Sequence, residues 1–354
     1  MSKRNAENER AKLRYLEILR HADGRSEQTV RQIEKALLRF EEFTGFASFK
    51  TFNQKQAADF KRALSNKGLA LATTLSTLKS LKKFFVWLSS QPGYKSRINA
   101  DSIAYLRLSE RDERIARAPA DKSYPSLLMV ERAVSLMPSE TPIEKRDQAM
   151  IALAAVTNIR VGALISLKLK HFDPDRMLVL QNPKEVSTKF GKPIYTFLIQ
   201  LNDDFERIFL DWCRFLREVE LFGDNDPLFP KTAMAHDDEM CFVPAGLSRE
   251  HWATSASARE IFKAAFRTGG LPEFTPHSFR HMLVSEAYRR KLTPAQLKAW
   301  SQNLGHESLL TTLGSYGKLS LEEQGQLIRE VAATPEEPPL TSSQLEEILR
   351  RRGL

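Results

Sequence analysis

A polar segment at residues 107–123 constrains the fold most, because it separates two stretches that each show their own apolar repeat. Its sequence, RLSERDERIARAPADKS, is charged and contains Ala-Pro-Ala, which is typical of a linker. A chain of 354 residues is also long for a single core. We predict an N-terminal extension (1–24), a helical domain (25–106), a linker (107–123), a second domain (124–333), and a C-terminal spacer and helix (334–354).

The stretch before the linker has the apolar spacing of amphipathic helices. Val30, Leu37 and Phe40 lie on one face of a helix predicted at 26–45. A shorter helix is predicted from Asn53, the expected N-cap, to residue 65, and a third at 72–89. The first domain is therefore expected to be entirely helical.

The stretch after the linker is predicted to be mainly helical with a small antiparallel sheet. β-Branched and aromatic residues at 177–180 and 194–199 indicate two strands. Helices are predicted at 126–137, 144–156, 161–167, 203–220, 255–268, 276–290, 294–302, 308–314 and 341–352. The last of these carries an apolar stripe and could pack on its own domain or on a neighbouring copy.

Composition indicates a globular protein without a membrane span. Hydrophobic residues make up 42% and charged residues 27% of the chain. The longest apolar run, 149–156, is far shorter than the roughly 20 residues of a membrane helix. The start, MSKRNAENER, has no apolar signal segment. Cys213 and Cys241 fit no disulfide framework or CxxC metal pattern, so we expect a cytoplasmic protein.

Basic charge is concentrated in the first third of the chain. Residues 1–120 carry a formal charge of +11, whereas the whole chain carries +9. Such an excess is typical of a surface that binds a polyanion, although it also fits a solvated basic face. The candidate phosphate contacts lie on two predicted helices: Arg31, Lys35, Arg39, Lys79, Lys82 and Lys83.

A histidine and an arginine are predicted to share the first turn of one helix. Thr275 is the expected N-cap and Pro276 the first helical residue, which places His277 and Arg280 on one face. The N–H groups of such a turn favour a phosphate oxygen. His277 and His281 also have a spacing that suits zinc, but no third ligand stands out, so no metal site is predicted.

Arg160 is predicted to lie on a sharp turn between two packed helices. The buried sequence AMIALAAV precedes it, and Asn158 suits the left-handed conformation that such a turn needs. Two forked guanidinium groups, Arg160 and Arg280, can contact the non-bridging oxygens of one phosphate. They would then stabilise a five-coordinate transition state in place of a metal ion.

Three further groups complete a pattern that runs in a fixed order along the chain. Lys189 lies in STKFGK, His306 in Leu304-Gly305-His306, and Tyr316 in GSYGK. Together with Arg160 and the run His277-Ser278-Phe279-Arg280-His281, they resemble the tyrosine recombinase (phage integrase) family. The resemblance covers roughly residues 25–320.

This resemblance implies a role for each residue. Tyr316 would attack a phosphodiester and form a 3′-phosphotyrosyl bond, while Lys189 would protonate the 5′-oxygen, with Lys192 as the other candidate. His306 would hydrogen-bond the phosphate. The family also implies double-stranded DNA with specific sites as substrate, a homo-tetramer on two duplexes, and no metal, ATP or other cofactor.

The chain departs from the family pattern at two points. Ala163 stands where the family usually has an acidic residue, and the interval from His306 to Tyr316 is one residue longer than usual. The expected function is a site-specific recombinase of the integrase or transposase type, encoded by a prokaryotic mobile element and associated with the nucleoid. The alternatives are a type IB topoisomerase, a catalytically silent DNA-binding relative, and a zinc hydrolase.

Overall fold

A computed structural model describes residues 4–118, 123–188, 191–290 and 292–305. The chain divides into two compact units, Met1–Ala120 and Asp121–Leu354. The division falls within the segment predicted as a linker. Among the described residues, none of the helices combines the length and the apolar character needed to cross a membrane.

The first unit is helical, as predicted. Asn53 caps its helix by accepting the N–H of Gln56 at 3.0 Å, and the three predicted helices begin and end within two residues of the expected positions. The helices are α1 (Ala6–His21), α2 (Glu27–Phe43), α3 (Gln54–Asn66), α4 (Leu71–Ser89), α5 (Ala100–Ala104) and α6 (Glu110–Arg117).

The core of the first unit forms around α4. Its inward side chains, including Leu78, Leu81 and Phe84, are fully buried because they follow the helical period. Phe85 stacks on Phe52 with ring centroids 3.9 Å apart and meets other rings edge-on. This aromatic core fixes α2 against α4.

Helix α1 belongs to this unit, whereas residues 1–24 were expected to form a separate extension. Tyr15 and Leu16 are buried in the common core. The same helix buries Asn8 and Lys12, whose side chains bond the two carboxylate oxygens of fully buried Glu41 at 3.2 and 2.5 Å. These bonds offset the free-energy cost of burying the polar groups. Polar and charged side chains can therefore lie on the inward face of α1.

Helix α6 lies inside the segment predicted as a linker. It packs on α4, and its Glu113 pairs with Lys79 of α4 at 3.4 Å and with Arg117. No side chain of α6 is buried, so these charged groups stay in contact with solvent while the helix packs on α4. Most of residues 107–118 therefore adds to the first unit.

The second unit is built around a helix at residues 142–157 whose C-terminal half is buried on all sides. Its helices are α7 (Leu127–Ser135), α8 (Pro142–Thr157), α9 (Val161–Leu164), α10 (Asp203–Glu218), α11 (Ala256–Thr268), α12 (Ser278–Arg289) and α13 (Pro294–Asn303). Every residue at 149–157 is buried, which explains the continuous apolar run. Thr141 and Glu144 form a capping box at its start.

Two small antiparallel sheets complete the second unit. The first has the order β1 (Phe172–Asp173), β2 (Leu178–Gln181), β3 (Ile194–Phe197) and contains both predicted strands. The second, β4 (Thr232–His236) with β5 (Phe242–Leu247), was not predicted. The predicted fold class, mainly helical with a small antiparallel sheet, is confirmed.

Candidate functional site

The structure describes three of the six predicted catalytic residues: Arg160, His277 and Arg280. Lys189, His306 and Tyr316 lie outside the described residues. The described part nevertheless includes both strands that flank Lys189 and the two residues before His306.

Arg160 is held on a turn set by Asn158. Helix α8 ends at Asn158, whose φ of 50° and ψ of 37° are the left-handed conformation predicted from the sequence. Arg160 follows as the extended N-cap of α9. Its side chain is half-buried, and this burial lowers the pKa of the guanidinium. A left-handed residue thus aims a charged side chain out of a tightly packed helix junction.

Arg280 is buried in the first turn of α12. Its side chain is only 8% exposed, and Nη2 donates a 2.6 Å hydrogen bond to the carbonyl oxygen of Leu304. Burial, and then the charge of Arg160, lowers the pKa of Arg280 to about 10. The guanidinium therefore stays protonated at neutral pH, close to a like charge.

The two arginines converge on the turn at the end of α13. Gly305 has a φ of +65°, which favours glycine, and a Cβ added there would lie 3.8 Å from Nη1 of Arg160. The preceding residue, Leu304, accepts the bond from Arg280. Two like charges brought together beside a backbone turn form a site that favours an anion with several acceptor oxygens, such as a phosphate diester.

Asn303 docks α13 on β3. Its Oδ1 accepts the N–H of Phe197 at 2.7 Å, and its Nδ2 donates to the carbonyl oxygen of Phe197 at 2.9 Å. Thr196 Oγ1 lies 3.3 Å from the Asn303 carbonyl oxygen. The side chain thus takes the place of a neighbouring strand and joins the hairpin that leads to Lys189 to the Gly305 turn. No sequence signal marked Asn303, because its partners lie more than 100 residues away.

The start of α12 differs from the prediction. The helix begins at Ser278, and the predicted N-cap and first helical residue, Thr275 and Pro276, lie in a preceding turn. The N–H and Oγ of Ser278 both donate to the carbonyl oxygen of Thr275, at 2.9 and 2.8 Å, and close that turn. His277 is exposed at the helix start, and its ring lies 5.7 Å from that of His281. Within the described ranges, no group of three or more His, Cys, Asp or Glu side chains could hold a metal ion.

Four of the six basic residues of the first unit line neighbouring clefts between α2 and α4. Lys35 and Arg39 line one cleft with Thr77, whose Oγ1 accepts from Arg39 Nη1 at 3.2 Å. Lys79 and Lys83 line the other. Arg31 and Lys82 are exposed but line neither cleft. Hydroxyl side chains between the cations make this face suited to a phosphate backbone.

Comparison with known proteins matches both units. The sequence model of the Phage integrase family matches residues 128–323, and that of the phage integrase N-terminal SAM-like domain matches residues 13–91. The chain is 23% identical to tyrosine recombinase XerC of Lactobacillus leichmannii over 303 residues, which cover 84% of this chain and 90% of that protein.

Lambda integrase structures are among the solved structures that share the fold. A lambda integrase(75-356) dimer bound to a COC′ core site has a TM-score of 0.61 and 17% identity, covering 88% of this chain and 99% of that one. A lambda integrase tetramer bound to a Holliday junction has a TM-score of 0.60 and 15% identity, covering 88% and 80%.

Proposed function

The chain belongs to the phage integrase family, and we propose that it cuts DNA by attack of Tyr316 on a phosphodiester held by Arg160 and Arg280. It is a site-specific tyrosine recombinase, an enzyme that cleaves and rejoins DNA. The observation that carries the mechanism is the convergence of the two arginines on the Gly305 turn, directly before His306 in the sequence.

The arginines stabilise the charge that develops on the phosphate. Attack by the tyrosine oxygen places additional negative charge on the non-bridging oxygens, and donors that are already fixed need no reorganisation at that moment. The Asn158 turn fixes Arg160, and the bond to Leu304 fixes the plane of the Arg280 guanidinium. Because both groups are at least partly buried, their fields are less screened than in water.

A lysine of the β2–β3 loop supplies the proton that the leaving 5′-oxygen takes. Lys189 is the first candidate and Lys192 the second, and β3 is docked beside the Gly305 turn by Asn303. His277 and His306 bind the same phosphate through their ring nitrogens. Ala163 has no polar side chain and is only 1% exposed, so it orients none of these groups through a side-chain hydrogen bond.

The first unit binds the DNA duplex through its basic residues. Lys35, Arg39, Lys79 and Lys83 line the α2–α4 clefts and contact phosphates, while Arg31 and Lys82 extend the basic face. Residues 13–91 match the N-terminal domain of the family, which supports this division of labour. The second unit then carries out strand cleavage.

Four copies act on two duplexes through a four-way junction. The fold shared with the lambda integrase tetramer bound to a Holliday junction supports this arrangement. The phosphotyrosyl bond conserves the energy of the broken phosphodiester, so rejoining needs no ATP, and the sequence contains no GxxxxGK[ST] motif. The enzyme works on the nucleoid in the cytoplasm of a prokaryote and serves a mobile element.

The test begins by trapping and sequencing the DNA that becomes covalently attached to the protein. Two copies of that site are then placed on one supercoiled plasmid, and the products are analysed with and without EDTA. We expect recombinant circles in equal yield under both conditions. Relaxation without recombination would point to a topoisomerase, no adduct on any DNA to a silent relative, and loss of activity in EDTA to metal-dependent chemistry.

A further inference from the structure

A carboxylate outside the arginine site holds the loop that leads into Lys189. Glu185 Oε1 accepts hydrogen bonds from Lys168 Nζ at 3.0 Å and from Lys170 Nζ at 2.8 Å. Its Oε2 lies 3.1 Å from Nε2 of His171. The hydrogen bonds from Lys170, His171 and Lys168 lower the pKa of Glu185 to about 2, so the carboxylate is ionised at neutral pH.

His171 enters this cluster as a neutral donor. Its Nδ1 accepts the backbone N–H of Lys168 at 2.9 Å, which places the ring proton on Nε2, where it is donated to Glu185. The ring is only 3% exposed, and burial lowers the pKa of His171 despite the nearby carboxylate. The direction of each hydrogen bond is therefore defined.

The segment that carries these bases is itself fixed. The N–H groups of Leu169 and Lys170 donate to the carbonyl oxygens of Asp226 and Asp224, at 3.1 and 3.0 Å. Phe172, the next residue after His171, pairs with Val179 in the sheet. Glu185 is thus bonded to a segment, residues 168–171, whose backbone is itself held by hydrogen bonds to residues 224–226 and by the sheet that follows it.

A second contact ties the same loop to the helix that Arg160 begins. The N–H of Ser187 donates to Oγ of Ser166 at 2.9 Å, and this Oγ lies 2.9 Å from the Ala163 carbonyl oxygen in α9. Val186, between the two anchored residues, is 2% exposed in the core. Residues 185–187 are therefore held at three successive positions, and Lys189 follows two residues later in the sequence.

We propose that Glu185 is a positioning residue for proton transfer to the leaving oxygen, acting through the lysine of its loop. This inference rests on the proposed function of Lys189. A lysine side chain has four rotatable bonds, so its reach is useful only if its backbone starts from a fixed point. A displacement of about 1 Å at a catalytic group can cost about 10²-fold in rate.

The test compares two DNA substrates that differ in one atom. In the first the scissile 5′-bridging atom is oxygen, and in the second it is sulfur, a better leaving group that needs little protonation. Single-turnover cleavage is measured for the full-length wild type, Glu185→Gln, Lys189→Ala and Lys192→Ala. Glu250→Gln is the matched control, because Glu250 also pairs with a lysine, Lys231, and has a lowered pKa, but lies outside the loop.

We expect Glu185→Gln to slow cleavage of the oxygen substrate by about 10-fold to 10²-fold and that of the sulfur substrate by less than about 3-fold. Glu250→Gln should match the wild type on both. Equal slowing of Glu185→Gln on both substrates would show a general structural role, and no slowing would show no role. Either result overturns the inference.

Failure of the lysine assignment gives a different pattern. If sulfur rescues Lys192→Ala but not Lys189→Ala, the proposed general acid changes, while rescue of Glu185→Gln still shows that Glu185 serves protonation. In the background of the true lysine variant, Glu185→Gln should cause no further loss. Additive losses would contradict action through that lysine.

A milder variant covers the case in which Glu185→Gln folds poorly. Ser166→Ala removes the acceptor of the Ser187 N–H without changing any charge. We expect the same selective slowing on the oxygen substrate, with a smaller amplitude. The inference is overturned if Ser166→Ala keeps the wild-type ratio of the oxygen-substrate rate to the sulfur-substrate rate and Glu185→Gln is slowed equally on both substrates.

Discussion

Replacing Arg280 by methionine should separate the proposed catalytic contribution of this buried charge from its contribution to stability. Methionine keeps an unbranched apolar stem, so most of the packing of the side chain is retained. Two opposing effects on the free energy of unfolding then arise. Burial and Arg160 lower the pKa of Arg280 from 12.5 to about 10, which corresponds to a cost of about 3 kcal/mol for the charged form.

The opposing effect is the loss of the interactions of the guanidinium group, among them the hydrogen bond to Leu304. A bond between a charged donor and a carbonyl stabilises a fold by about 1.5–3 kcal/mol, and its loss leaves the Leu304 oxygen without that donor. The two effects nearly cancel, so we expect the free energy of unfolding of Arg280→Met to lie within about 2 kcal/mol of the wild type. Cleavage, in contrast, should slow by about 10²-fold to 10³-fold.

The free energy of unfolding is measured by denaturant unfolding. The cleavage rate is measured in a single turnover on a nicked DNA substrate that traps the covalent adduct (the trapping substrate). Arg146→Met is the matched control, because Arg146 is 1% exposed and binds Asp147, the Pro230 carbonyl oxygen and Thr232. Its loss leaves the partly buried carboxylate of Asp147 without its cation and the buried Pro230 carbonyl oxygen without its donor, and should cost about 3–5 kcal/mol. The cleavage rate per folded molecule should not change. A stability loss in Arg280→Met as large as in Arg146→Met, or an unchanged cleavage rate, would refute this reasoning.

Three further predictions concern DNA binding, docking and pH. Neutralising any one of Arg31, Lys35, Arg39, Lys82 and Lys83, which unlike Lys79 are not paired with Glu113, should lower the slope of log affinity against log salt by about 1 and weaken binding to all sequences similarly, as a filter-binding titration would show. Asn303→Ala removes two hydrogen bonds to Phe197 and should lower the free energy of unfolding by about 1–3 kcal/mol. If this variant cleaves the sulfur substrate as slowly as the oxygen substrate, the substitution disturbs the whole site and not only the proton transfer. Because the folded pKa of His171 is lowered from 6.5, its contribution to stability is complete above pH 6.5 and is lost as the pH falls through the folded pKa. His171→Asn should flatten that part of the stability profile, and an unchanged slope would contradict the assignment.

The local rules of the sequence predicted most of the helices. Asn158 was expected to take the left-handed conformation, and it does, because the requirement lies within one turn. The capped helix from Asn53 and the strand at residues 194–197 follow from equally local patterns. Arg160 and Arg280 were expected to contact one phosphate because both guanidinium groups are forked and both fit the family pattern, and the structure brings both side chains to the Gly305 turn.

Features that depend on distant partners could not be predicted in this way. The inward face of α1 includes Asn8 and Lys12, which can be buried there because Glu41 of α2 bonds both side chains. Strands β4 and β5 were missed because TAMAH and FVPAGL contain alanine, proline and glycine, which are poor strand residues, and their pairing is irregular. Residues 107–123 were predicted as a linker from their charge and the Ala-Pro-Ala sequence, whereas the helix at 110–117 depends on packing against α4, which no local pattern shows.

The start of α12 shows a different limit. Thr275 and Pro276 form a strong N-terminal signal, yet Ser278 uses both its N–H and its hydroxyl to close a turn on Thr275, and the helix begins three residues later than the expected cap. His277 thereby stays at the helix start and on the exposed side. The predicted N-cap was wrong, whereas the catalytic role of His277 stays a prediction.

The most direct test of the account is to identify the residue that becomes joined to DNA. The wild type and Tyr316→Phe are incubated with the trapping substrate, the adducts are digested, and the peptide that carries the nucleotide is sequenced by mass spectrometry. The account predicts a phosphotyrosyl bond at Tyr316 in the wild type, and no adduct in Tyr316→Phe despite nearly unchanged DNA binding. An adduct at another residue, or an adduct that persists in Tyr316→Phe, would contradict it.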